Sequence, residues 1–252
     1  MSSTKPIQAT KTSVAVLELL KQYDQMRVTD LARELTMSKS TIFNHLQTLK
    51  MEGLVVQKEQ TYALGLRLLD FGESTRNCHP LYEYAKPEVD NLAEKSRELS
   101  HVLVYENNHG VYLYQSRGKD AVHVDVHAGM RVPLHCTALG KAVLAGLPEH
   151  ESAQIIREVG MQQFTPNTIT DTKTLQTHLQ KIRQEGYAVD DEERLLGMRC
   201  VAAPIKNNNE DTIGAVSVTG PTTRFEHHRL HTGLRDLVMK GANVIELNLK
   251  YS

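Results

Sequence analysis

The sequence predicts an α+β protein in which a small N-terminal winged helix-turn-helix precedes a larger domain of hairpin-linked strands mixed with helices. Three observations carry that expectation. Three short amphipathic segments and a hairpin fall within the first 68 residues. Beyond residue 83, β-prone segments occur in two groups separated by helical periodicity. The chain has 252 residues, 40% hydrophobic and 23% charged, enough for a proper core but more than one small module needs. This composition excludes disorder and collagen.

Along the chain, residues 11–23 read as a helix because Val16, Leu17 and Leu20 share one face, with Thr12 or Ser13 available to cap it. A second, shorter helix has Thr29 as a cap, Asp30 in the first turn where the macrodipole favours an acid, and Leu31, Ala32 and Leu35 as its buried stripe. The third starts after Ser38, carries Ile42, Leu46 and Leu49 at i, i+4 and i+7, and ends at Gly53. Residues 54–57 and 61–64 flank the polar tip Lys58, Glu59 and Gln60 as a hairpin. Helical patterns over 66–75 and 81–98 are broken near Pro80, which disfavours an αR residue before it. The expected organisation is a DNA-binding domain over 7–68, a linker helix over 69–82 and a second domain over 83–252. In that second domain, residues 101–106 and 111–116 read as strands joined by a turn at 107–110, and the alternation of Val122, Val124 and Val126 reads as another strand. Helices follow over 137–145, 149–159 and 175–185, then strands over 200–205 and 212–218, then one long helix over 225–249.

The whole-chain charge of −1 gives no global electrostatic case for nucleic acid. The balance is uneven, however: residues 1–67 hold 9 basic and 6 acidic side chains, and residues 68–252 hold 20 and 24. Residues 28–35, a turn at 36–37 and residues 38–51 have the lengths and tight connection of a helix-turn-helix. Its second helix exposes Lys39, Ser40, Thr41, Asn44, His45 and Thr48, with no acid between Lys39 and Lys50 to repel phosphate. Ser and Thr bond phosphates or base edges, Asn suits adenine in the major groove, and the helix start at Ser38 presents N–H groups to phosphate. Lys58 and Gln60 at the hairpin tip reach an adjacent backbone or minor groove, completing a winged helix. The alternative is a three-helix protein-interaction module with a solvated polar face.

At these residues the chain resembles the IclR-type transcriptional regulators, and the resemblance runs over nearly its whole length. Residues 28–54 resemble the family's winged helix and residues 62–69 its passage from wing to linker. Residues 134–142 (LHCTALGKA) are similar to a second family motif. The most specific match is the succession of residues 186–193 (GYAVDDEE), 197–204 (GMRCVAAP) and 217–221 (SVTGP). Position 219 is Thr where the family often has Ser, which keeps the hydroxyl. The resemblance implies a GAF-like α/β effector domain with a mainly antiparallel sheet, assembly as a homodimer or dimer of dimers, operator DNA as partner and regulation of a nearby catabolic operon, as repressor or activator, by a small molecule.

Chemistry narrows the effector site. The helix opening at Ala138 and Leu139 offers unpaired backbone N–H groups that suit a carboxylate, and Gly140 would let a ligand or a strand come close. Ser217 and Thr219 lie two apart on a strand, hence on one face. By resemblance, Asp190, Cys200, Ser217 and Thr219 line the pocket. An anion beside Asp190 requires that the Asp be protonated or bind a ligand hydroxyl, which favours a small hydroxy, keto or sugar acid. The competing reading makes Thr137 only a helix cap and the two hydroxyls only backbone partners.

Two rival signals remain. His123, Asp125 and His127 on one strand face, with His135 and Cys136 further on, are metal-ligand types, but a solvated strand face explains the alternation more cheaply. Cys200 with Asp190, or Cys136 beside His135, could suggest a thiol hydrolase, yet no oriented base is evident. The expectation is therefore no catalytic residue, no metal and no cofactor; an enzyme that binds a metabolite is the alternative. Cys78, Cys136 and Cys200 contain no CxxC, which argues against a disulfide framework. No apolar run reaches the roughly 18 residues of a membrane span and residues 1–10 are polar, so a cytoplasmic location without a membrane partner is expected.

Overall fold

The computed structural model describes residues 5–251, which form two compact units dividing between Arg76 and Asn77. In the first unit, helix α1 (Gln8–Tyr23) buries Val16 and Leu20 against α2 (Val28–Glu34) and α3 (Lys39–Met51), where Leu31, Ile42, Leu46 and Leu49 complete the core. The expected caps at Thr12 or Ser13 and at Thr29 are not used. Helix α1 starts one turn earlier, behind Ile7, and α2 starts behind Arg27, neither with a side-chain cap. Ser38 does cap α3, accepting from the Thr41 N–H at 3.1 Å, and Gly53 leaves the helix at φ +68°, a conformation glycine adopts without strain. The hairpin is β2 (Val55–Lys58) and β3 (Thr61–Leu64), and its sheet gains a third strand that periodicity could not reveal, β1 (Gln25–Arg27), three residues paired with β3. Helix α4 (Arg67–Asn77) buries none of its residues and leaves Leu69 and Phe71 exposed.

The second unit is a six-stranded sheet between two helical layers. Its order is β6-β5-β4-β9-β8-β7, with every neighbouring pair antiparallel. The strands are β4 (Leu99–Glu106), β5 (His109–Arg117), β6 (Arg131–Val132), β7 (Ala188–Asp191), β8 (Met198–Lys206) and β9 (Thr212–Pro221). Asn107 and Asn108 both take positive φ in the β4–β5 turn, the two-residue type that matches strand twist. One sheet face packs on α5 (Pro80–Ser96), whose Leu81, Val89 and Leu92 are buried, and on α10 (Arg235–Lys250). The other face packs on α6 (Ala138–Gly146), α7 (Glu149–Val159) and α8 (Thr172–Glu185) through Leu139, Val143, Ile155 and Leu179.

Three expectations are corrected. Residues 121–127 form no strand: Val122, Val124 and Val126 still alternate inward with exposed His123, Asp125 and His127, but no neighbouring strand offers them a ladder. The segment runs as a strap, held where Arg117 meets His123 Nδ1 (3.3 Å) and donates to the Val124 carbonyl (3.4 Å). The closing helix runs without a break over residues 227–250, close to the expected span, but it is not α-helical throughout. A short turn α9 (His227–Arg229) and a π-helical turn over Leu230–Leu234 precede α10 and place Leu230 and Leu234 in the core. Gly140 makes room for backbone rather than for a ligand, since a Cβ there would lie 2.3 Å from the Leu134 carbonyl oxygen.

Candidate functional site

The helix-turn-helix holds α3 on the outside of the first unit. Lys39, Ser40, Asn44 and Thr48 are exposed along it, and Lys58 and Gln60 are exposed at the hairpin tip. The Ser38 hydroxyl is shared among the Thr41 N–H, Ser40 Oγ (2.9 Å) and Thr41 Oγ1 (2.8 Å), which fixes the first turn of the helix. Thr48 donates to the Asn44 carbonyl at 3.0 Å, and Lys50 ties α3 to the wing by donating to Gln57 Oε1 at 2.8 Å. His45 departs from the expected set: it is half-buried and its Nδ1 meets Ser13 Oγ of α1 at 2.9 Å, so that nitrogen braces two helices. Phe43, passed over in the sequence because it is apolar, is 46% exposed beside Asn44.

In the second unit a cavity of about 70 Å³ opens between the sheet, the start of α6 and the strap. Of the six expected effector residues, Leu139, Asp190, Cys200 and Thr219 line it; Ala138 and Ser217 are fully buried behind them. Thr137 caps α6, accepting from the Gly140 N–H at 2.9 Å, and also lines the cavity. Thr219 donates to Cys200 Sγ at 3.0 Å. Sequence reasoning missed His101 and Tyr112 from β4 and β5, Val124 and Val126 from the strap, and Arg194. The strap valines were visible as alternation but were assigned to a strand. Arg194 stood in a charged run with nothing to tell it from a solvated loop; it lies over the Phe164 ring at 4.2 Å.

Burial governs the electrostatics here. It pushes the Asp190 carboxyl up to about 7, and the nearby Glu193 carboxylate adds to the shift; the Glu193 N–H, donating to Asp190 Oδ1 at 2.8 Å, opposes it. Glu193 itself is paired with Lys141 of α6, both of them buried. The Thr165 and Thr168 hydroxyls, donating to the Glu193 carbonyl at 3.2 and 2.6 Å, hold the same turn. Cys136 and Cys200 are each pushed up to about 12 by burial, so both are thiols at neutral pH and poor nucleophiles. Among the described residues, His123, Asp125, His127, His135 and Cys136 do not come together as a metal-ligand group, and His135 Nε2 meets the Gln162 carbonyl oxygen.

The raised Asp190 pKa has a measurable consequence. A carboxyl whose native pKa lies above its ordinary 3.8 adds stability below that value and loses it as pH rises to about 7. Asp190→Asn cannot ionise, so from pH 4 to pH 8 its stability relative to wild type is expected to improve by on the order of 4 kcal/mol. Urea unfolding at the two pH values checks this, and parallel curves would mean that Asp190 ionises normally.

Residues 13–59 match the IclR helix-turn-helix domain, and residues 74–246 match the bacterial transcriptional regulator IclR C-terminal domain. The chain belongs to the IclR family. Among relatives of this IclR-family regulator, a Halobacterium salinarum protein named as a probable HTH-type transcriptional regulator, ArcR, is 34% identical, covering 94% of this chain and 92% of that one. The HTH-type transcriptional repressor AllR of Escherichia coli is 32% identical over 89% of this chain and 84% of its own. The crystal structure of Thermotoga maritima IclR superposes with a TM-score of 0.79 at 28% identity, covering 97% and 99% of the two chains. This IclR-family regulator is thus a DNA-binding transcriptional regulator, with the α+β arrangement of its structural relatives. Among the described residues no helix is long and apolar enough to cross a membrane.

Proposed function

We propose that this regulator reads operator DNA through α3 and the wing, and that a small organic acid bound in the cavity of the second unit shifts its affinity. Ser40, Asn44 and Thr48 face the major groove, with Phe43 placed for apolar contact to a thymine methyl, while Lys39 and Lys58 meet phosphates and Gln60 the neighbouring groove. The chain works in the cytoplasm as a homodimer or dimer of dimers on a two-fold site, because one such module reads too few base pairs for useful specificity. The exposed Leu69 and Phe71 on α4 suit pairing of two copies. It acts by binding: the two candidate nucleophiles, Cys136 and Cys200, are held as thiols by burial, which disfavours the thiol-hydrolase alternative. The observation that carries the effector reading is the meeting of Arg194 with the start of α6 around one cavity: a guanidinium and helical N–H groups both favour a carboxylate, and Asp190, held largely protonated below pH 7, does not oppose it.

A gel shift with the DNA upstream of the protein's own gene, run with and without hydroxy and keto acids, tests this. A specific complex is expected, with its affinity moved 5- to 150-fold by an acid, the usual range for coupled sites. Lys58→Ala should weaken binding to all sequences and lower the salt slope by about one, as a lost phosphate contact does. Absence of a specific complex would overturn the DNA reading; a complex that ignores every acid would overturn the effector reading.

A further inference from the structure

One row of side chains crosses the cavity face of the sheet. Gln115 of β5, His101 of β4 and Ser217 of β9 are cross-strand partners in register, so they share a face. His101 is 3% exposed, lines the cavity and tilts against Tyr112 with ring centroids 5.1 Å apart. Neither of its ring nitrogens has a hydrogen-bond partner, and neither does Gln115 Oε1. Buried polar groups are nearly always paired, because an unpaired one forfeits its hydration with no return. An apolar side chain would sit here without that cost, so a histidine makes sense when a ligand completes its bonding.

The chemistry of the ring states what that ligand carries. Burial, with Arg117 close by, pushes the imidazole down to about 3, so it is neutral, with one nitrogen donating and the other accepting. A carboxylate can meet only the donating nitrogen and an ammonium only the accepting one, whereas a hydroxyl can meet either. We infer that His101 is the specificity-determining residue of this pocket and selects acids that bear a hydroxyl on the carbon chain beyond the carboxylate. The inference rests on the organic-acid reading of the cavity: Arg194 and the α6 start take the carboxylate, and His101, the one member of the row that lines the cavity, takes the hydroxyl.

Calorimetric titration of the full-length protein with each enantiomer of lactate and with glycerate, set against propionate, tests it. Wild type is expected to bind at least one hydroxy acid tenfold or more tighter than propionate. His101→Phe should bind the same pair within about twofold of each other and, without ligand, unfold at a higher temperature than wild type. His101→Gln, which keeps a donor and an acceptor, should retain most of the preference. If His101→Phe does not fold, His101→Ala carries the same comparison. Persistence of the preference in the Phe or Ala variant overturns the inference, as does equal binding of hydroxy acids and propionate by wild type, which would leave the pocket reading standing. Binding of none of these acids by wild type would overturn both.

Discussion

Asn44→Glu and Ser40→Glu are each expected to abolish sequence-specific operator binding, with a loss of at least 100-fold in a gel shift at moderate salt. Both positions are exposed on α3, and that helix contains no acid between Lys39 and Lys50. A carboxylate there would sit against duplex DNA, which carries one negative charge per about 1.7 Å of axis. Contact also strips it of water, so repulsion and desolvation act together. The fold should be untouched, since neither side chain is part of the core. A normal circular dichroism spectrum beside a lost complex is therefore the expected pair of results. Retention of the specific complex by both variants would mean that another element reads the operator.

The largest expected loss of stability follows from Lys141→Met. Lys141 is 1% exposed and pairs with Glu193, which is itself buried and holds the turn that positions Asp190. Removing the ammonium strands a carboxylate in a low-dielectric interior, at a cost of about 3–5 kcal/mol. For a unit of this size that corresponds to a fall in melting temperature of roughly 6–20 °C. Converting both partners, Lys141→Met with Glu193→Leu, should recover much of the loss, because well-packed apolar groups often replace a buried pair at little cost. Thermal melts of the single and double variants check this; equal melting temperatures for wild type and Lys141→Met would show that Glu193 is accommodated without its partner.

Legibility in the sequence followed periodicity and turn chemistry. Helix α3 could be placed from Ser38, the Ile42-Leu46-Leu49 stripe and Gly53, because cap, stripe and stop are all local. Strand β1 could not, since three residues are too few to show alternation and its pairing with β3 lies more than 30 residues away. Residues 122–126 show the opposite failure. Inward valines imply one covered side, and a strap over a cavity meets that condition as well as a strand does. In the pocket, Leu139, Asp190, Cys200 and Thr219 were accessible through motifs and helix-start chemistry, whereas His101 acquires meaning only once β4 is laid beside β9, and Arg194 only once the turn between β7 and β8 is set over the cavity. Burial depth was hidden too: two hydroxyls on one face seemed equivalent, yet Ser217 is fully buried while Thr219 reaches the cavity.

The pairing of β4 with β9 joins Leu99 to Thr219, more than a hundred residues apart, with α6, α7 and α8 in the intervening chain. Closing so long a loop is entropically costly and slow, and local helices can form well before it. The pocket draws its walls from both sides of that closure, so it exists only when the sheet is complete. On the proposed reading, an acid would have nothing to grip in a half-folded chain. It would leave the refolding rate alone and lengthen the lifetime of the finished fold, so an effector bound in this pocket would also protect the protein from unfolding.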